Sequence, residues 1–256
     1  MISNGRYTFY MLSRVTRSTI FAATAMAVAL GAMTAARAAD APAIPRMADG
    51  KPDFTGFYNI PYTPNMARGK EDEVPYTERG RKAYADHDFK DDPTANCWFP
   101  GVPRIMQSPY PAQIAQTKDY LFILFEYMHM FRAIPLDGRP HPANMEPSFM
   151  GDSVGHWEGD TIVVDTTMLK DAPWTWLDTA GHQHSDALHV IEHFRRLPDK
   201  VDYDFVVDDP KMYTKPWTNA RPLTPLKMTP GLPELIEYNC DENNRDLKHL
   251  VPTKQN

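Results

Sequence analysis

From residue 53 onward, apolar and polar positions alternate with the period of strands rather than helices. Segments 153–157 and 161–166 read as a hairpin turning at Glu158-Gly159-Asp160, because a glycine turn between β-branched runs favours that geometry. Segments 186–196 and 201–207 repeat the pattern around Leu197-Pro198-Asp199-Lys200. Upstream, 112–116 and 120–125 form a third hairpin at Lys118-Asp119. The apolar run from Tyr120 to Pro135 is long for one strand, so a bend is expected near residues 127–129. Further strands are expected at 53–60, 217–223 and 235–240. A single short helix should run to Ala85, with Thr77 as N-cap and Glu78 in its first turn.

Eight to ten short antiparallel strands with almost no helix can be buried as a sandwich or as a closed barrel. Nearest-neighbour hairpins favour an all-β, antiparallel up-and-down barrel, since closure leaves no edge exposed. A barrel of about eight strands is filled by its own side chains or holds one small ligand. Twenty-four prolines fit strands joined by long, rigid, proline-rich loops. The irregular stretch 92–111 is long for a structured loop, which points to function. Together with the polar loop 168–185, it is expected to flank the barrel mouth.

Composition sets the compartment. Arg6, Arg14 and Arg17 precede the apolar run 20–32, and Ala36-Arg37-Ala38 resembles a cleavage site, so 1–38 reads as a secretory signal peptide. That run is shorter than the ~20 residues of a spanning helix, and no later stretch is apolar enough to span. Residues 39–52 read as a linker and 53–256 as one domain. Export would place the chain in the periplasm or outside the cell. Loss of the leader's four arginines moves the formal charge from −6 to −10, which argues against nucleic acid or an anionic membrane as partner. In an oxidising compartment, Cys97 and Cys240 are expected to pair. The alternative is two free buried thiols.

The motifs FRAIPLDGRPHP, MGDSVGHWEGDTIVVDTT, WLDTAGHQHSDALHVIEHFRR and DDPKMYTKPWT resemble those of a group of exported, functionally uncharacterised bacterial proteins. The likeness runs from about Cys97 to His249. It implies a lipocalin-like barrel and carries over no catalytic residue. The segment Tyr127-Met128-His129-Met130 is less polar and turn-like than its counterpart in such relatives.

Candidate chemistry gathers around the central hairpins. Strand parity puts Leu188, Val190, Glu192 and Phe194 on the core face of their strand. An inward carboxylate must be paired, hydrogen-bonded or protonated, which makes Glu192 a candidate acid or base. Arg132, Arg195 or Arg196 would be its partner, and the competing reading is a structural ion pair plugging the barrel. Parity sends His189 and His193 to solvent. Asp165 joins Glu192 and Arg132 as a candidate catalytic residue. His182 and His184 at i and i+2 would point one way if extended and admit a divalent metal, with Asp178 or Asp186 adding a carboxylate. The bland reading has both histidines bonding loop backbone. No other cofactor is indicated. His182, His184, Asp178, Trp157 and the indoles of Trp174-Thr175-Trp176 are the candidate binding residues. Copper at Met128-His129-Met130 is disfavoured, because in a strand His129 faces away from both thioethers. No Gly-x-Ser-x-Gly elbow, phosphate loop or dinucleotide fingerprint is present.

The leading expectation is an exported barrel that binds a small apolar or aromatic molecule in its interior. An acid–base isomerase, lyase or hydrolase using Glu192, Asp165, Arg132, His182 and His184 is the alternative, and a filled structural barrel the third reading. An apolar cavity favours the first, an inward carboxylate in a cavity the second, and a packed interior the third.

Overall fold

Alternation does produce strands, ten of them among the described residues. The computed structural model describes residues 43–227 and 235–240 and gathers the described residues from Ile44 onward into one unit. The first sheet contains β1 (Gly56–Asn59), β2 (Ala112–Gln116), β3 (Tyr120–Phe125), β4 (Phe131–Pro135) and the short β10 (Thr224–Pro225), in the order β10-β1-β2-β3-β4. The second contains β5 (Asp152–Glu158), β6 (Thr161–Thr167), β7 (His189–Arg196), β8 (Val201–Asp208) and β9 (Trp217–Ala220), paired in chain order. Every strand pairing is antiparallel. The single α-helix among the described residues, Glu78–Asp86, is capped by the Thr77 hydroxyl, which accepts from the Gly80 amide at 3.0 Å.

Parity decides what is buried. On β8 every second residue (Val201, Tyr203, Phe205 and Val207) is buried, and on β7 the buried set is Val190, Glu192 and Phe194. Ile114 on β2, Leu121 and Ile123 on β3 and Ile134 on β4 belong to the same apolar cluster as Ile162, Val164 and Phe194 of the second sheet. One core therefore lies between the inner faces, and large side chains fill it.

The strands are grouped into two five-stranded antiparallel sheets. Two expectations change here. Residues 235–240 form no strand: Ile236 is 58% exposed, and its amide donates to Glu126 Oε2. The edge position beside β1 goes instead to β10. Finally, the second half of the expected linker is tied to the fold, where Met47–Lys51 closes as a turn and Arg46 pairs with Asp160 at the tip of the β5–β6 hairpin. The leader expected over 1–38 lies outside the described residues. No helix among the described residues is long and apolar enough to cross a membrane.

Candidate functional site

Glu192 is inward, as parity requires, and it is fully buried. Arg132 reaches it from β4 on the other sheet with two hydrogen bonds, Nη1 to Oε1 at 2.8 Å and Nη2 to Oε2 at 2.5 Å. The Tyr203 hydroxyl donates to Oε1 at 2.8 Å, and the Thr166 hydroxyl lies 3.4 Å from Oε2. Arg132 Nη2 also donates to the Ser153 and Thr166 hydroxyls. Burial alone would lower the Arg132 pKa, yet the charge and hydrogen bonds of Glu192 hold it above the usual arginine value. Burial also raises the Tyr203 phenol well above its ordinary value, so it stays a donor. This network ties the two sheets together through the middle of the core.

Asp165 does not join it. On β6 it sits opposite Ile191 and half-exposed, where it contacts His189 Nε2 at 2.5 Å and His141 Nε2 at 3.4 Å. His141 in turn meets Asp152. The adjacent Thr166, with the opposite parity, is the residue that faces Glu192. His189 and His193 are half-buried and paired with Asp165 and Asp204 rather than free in solvent.

The GHQH loop separates its two imidazoles. Gly181 has φ +93°, and a Cβ there would overlap the His87 ring, so only glycine fits this turn. His182 Nδ1 meets Asp178 Oδ2 at 2.6 Å, and the same oxygen accepts from the Met66 amide at 2.7 Å. Its ring stacks on Tyr84 and lies near Trp217. His184 Nδ1 donates to the Ser185 carbonyl, and Nε2 meets the Thr175 hydroxyl at 2.6 Å. Both nitrogens of His184 are thus engaged. No group of three or more His, Cys, Asp or Glu positioned to hold an ion occurs among the described residues. The pair bonds its own loop instead of converging on one ligand.

Burial holds His184 below the ordinary histidine pKa, against the opposing pull of the Ser185 carbonyl and the charges of Asp209 and Asp171. The folded state therefore keeps the ring neutral where the unfolded chain takes up a proton. This contribution to stability is complete above the unfolded value of about 6.5 and is lost as pH falls below it, at up to ~1.4 kcal/mol per pH unit. Urea unfolding at about pH 7.5 and about pH 5.5 checks it: His184→Gln should reduce the acid sensitivity, and an unchanged slope would count against this role.

The tryptophans divide as well. Trp157, near the β5–β6 tip, packs against Phe54 under the Lys51 ammonium and lines none of the clefts described here. Thr175 is buried and holds His184, while Trp174 stacks on Trp98 and Trp176 meets His87 edge-on.

Open volume lies among the loops and beside β4 and β5, where Arg132 and Ser153 line a cleft of about 440 Å³. A cleft of about 400 Å³ is lined by Tyr62, Phe89, Tyr110, Tyr127 and Tyr238 together with Arg104, Gln107 and Ser108. Tyr110, Tyr127 and Tyr238 pack against one another with ring centroids 5.0–6.1 Å apart. Tyr238 stands two residues before Cys240, whose disulfide to Cys97 fastens this segment to the 92–111 loop. Arg104 is buried, with both Nη atoms on Asp92 at 2.8 and 2.7 Å and further bonds to Thr94 and Thr179. Its charge is therefore already matched. Gln107, 2% exposed, donates through Nε2 to the Leu177 carbonyl, which fixes the amide orientation and leaves the buried Oε1 without a donor. Desolvation pushes the Tyr127 phenol up to about 12, so it stays neutral.

The 92–111 loop stands out in the sequence by its length, but Arg104, Gln107 and the tyrosines carry no motif. The usable signal was the cysteine pair, since pairing Cys97 with Cys240 necessarily brings Tyr238 to that loop. No family model, curated protein or solved structure matches this chain.

Proposed function

We propose that this is an exported protein that binds a small, neutral aromatic molecule carrying a hydrogen-bond donor, in the cleft between Tyr62, Tyr110, Tyr127 and Tyr238. The observation that carries the reading is a cleft that combines packed aromatic walls with Gln107, whose buried Oε1 has no donor. Aromatic faces supply apolar area at defined geometry. A buried acceptor left unmade costs about 1–3 kcal/mol, which a phenol or aromatic N–H recovers on binding. The matched charge on Arg104 removes the reason for an anionic ligand here. A volume of about 400 Å³ suits a ligand of one or two rings.

Binding is placed at the loops rather than in the interior, because the space between the sheets is occupied by Phe194, Tyr203, Phe205 and their neighbours. A barrel-like, lipocalin-like wall remains part of the proposal. It is supported by the paired backbone bonds of Leu223 with Val201, and by the Gly138 amide donating to Gly155 O. The Cys97–Cys240 bridge supports an oxidising compartment. The acid–base alternative has less support, since Glu192 is sealed among its partners and Asp165 lies on the opposite face of the sheet.

Calorimetric titration with 4-ethylphenol and its methyl ether tests the reading. The phenol should bind about tenfold tighter, and Gln107→Leu should abolish that difference. Equal affinities of the parent protein for the two probes would overturn it.

A further inference from the structure

A further cleft, of about 680 Å³, shares Tyr62 and Thr63 with the aromatic cleft but carries an excess of positive charge. Arg68, Lys70 and Arg221 line it against one carboxylate, Glu73. None of the three cations makes an ion pair among the described residues. Arg221 Nη1 and Nη2 donate to the Ala220 carbonyl and to Asn219 Oδ1, but its buried Nε has no acceptor. Trp217, which also lines the cleft, carries a second buried donor without an acceptor, its Nε1. Met66, Val74 and Pro75 supply apolar lining beside these donors.

The arrangement is unusual for this chain. The protein is net acidic, yet one cleft here is lined by three cations without an ion pair, two residues with orphan N–H donors and apolar side chains. A cleft lined by one sign of charge focuses the field and concentrates the opposite ion. An orphan indole N–H and a guanidinium Nε ask for acceptor oxygens, and an anion supplies them in charge-assisted form. Burial lowers the Arg221 pKa, against the opposing pull of the Asp178 charge and of Tyr203.

We propose that this cleft is an anion site for a small organic molecule with a carboxylate or phosphate head and a short apolar body. The head sits against Trp217 Nε1 and Arg221, within the field of Arg68 and Lys70, and the body lies along Met66 and Val74. The proposal does not depend on the aromatic cleft, and its probes are aliphatic so that the two sites can be told apart.

Five tryptophans give five indole N–H signals in a ¹H–¹⁵N spectrum of the intact protein, and Trp217→Phe assigns the one that matters. Titration with hexanoate or hexyl phosphate should move that signal, and the better of the two names the head group. Hexanol should leave it in place. Added salt should weaken the response. Arg221→Gln should weaken binding about tenfold or more, the loss of a charge-assisted bond. Because Arg221 is partly buried, the exposed Arg68→Gln provides a second variant, expected to weaken binding about two- to fivefold. A Trp217 signal unmoved by both anions, or moved equally by hexanol, would overturn the site.

Discussion

Replacing Arg132 with methionine should remove about 3–5 kcal/mol of unfolding free energy, among the largest effects of any single substitution in this chain. The loss would come from what remains rather than from what is removed. Glu192 is fully buried, and among the described residues Arg132 is its only cationic partner within hydrogen-bonding reach. Without it, the carboxylate keeps only the hydroxyls of Tyr203 and Thr166 and must take up a proton or stay charged in the core. Taking out the whole network is a different matter. In Arg132→Met/Glu192→Leu/Tyr203→Phe no charge or phenol is stranded, and this triple variant should be more stable than Arg132→Met alone. Urea unfolding of the parent and both variants separates these outcomes. A loss below about 1 kcal/mol for Arg132→Met would mean that the pair behaves as a solvated surface bridge.

Removing the disulfide should have an effect of similar size by another route. Cys97 and Cys240 are 143 residues apart in the chain, so in the chain-entropy model the bridge is worth about 5 kcal/mol through restriction of the unfolded state. For a domain of this size that corresponds to a fall in Tm of about 10–20 °C in Cys97→Ser/Cys240→Ser. A second consequence belongs to the aromatic cleft. The 235–240 segment forms no strand, and the bridge is its covalent tie, beside the Ile236 amide on Glu126 and the Tyr238 amide donating to His129 Nε2. Its release should free Tyr238 from the cleft wall and weaken 4-ethylphenol binding more than hexanoate binding. Equal Tm values for the oxidised and double-serine proteins would remove the bridge from the stability argument.

Where one face of a strand is apolar and the other polar, the sequence was readable. On β7 the alternation of Val190, Glu192 and Phe194 with His189, Ile191 and His193 placed Glu192 inward, and Arg132 was among the partners expected for it. On β6 alternation marks no core face, because Ile162, Val163 and Val164 are all buried. Asp165 was grouped with Glu192 by residue type alone, and Thr166 occupies the facing position. Residues 235–240 mimic a strand in composition, but a disulfide and two backbone contacts hold them instead of a ladder. The aromatic cleft was legible only as a long loop, since its walls come from residues near 62, 110, 127 and 238 that meet through the fold. His182 and His184 share a motif, yet the left-handed Gly181 turn and separate partners, Asp178 and Thr175, hold them apart in function.

A crystal structure grown with 4-ethylphenol tests the binding claim most directly. The expected result is a ring stacked among Tyr110, Tyr127 and Tyr238, with its hydroxyl within hydrogen-bonding distance of Gln107 Oε1. An unoccupied cleft at saturating probe, or the phenol seated elsewhere on the protein, would contradict it.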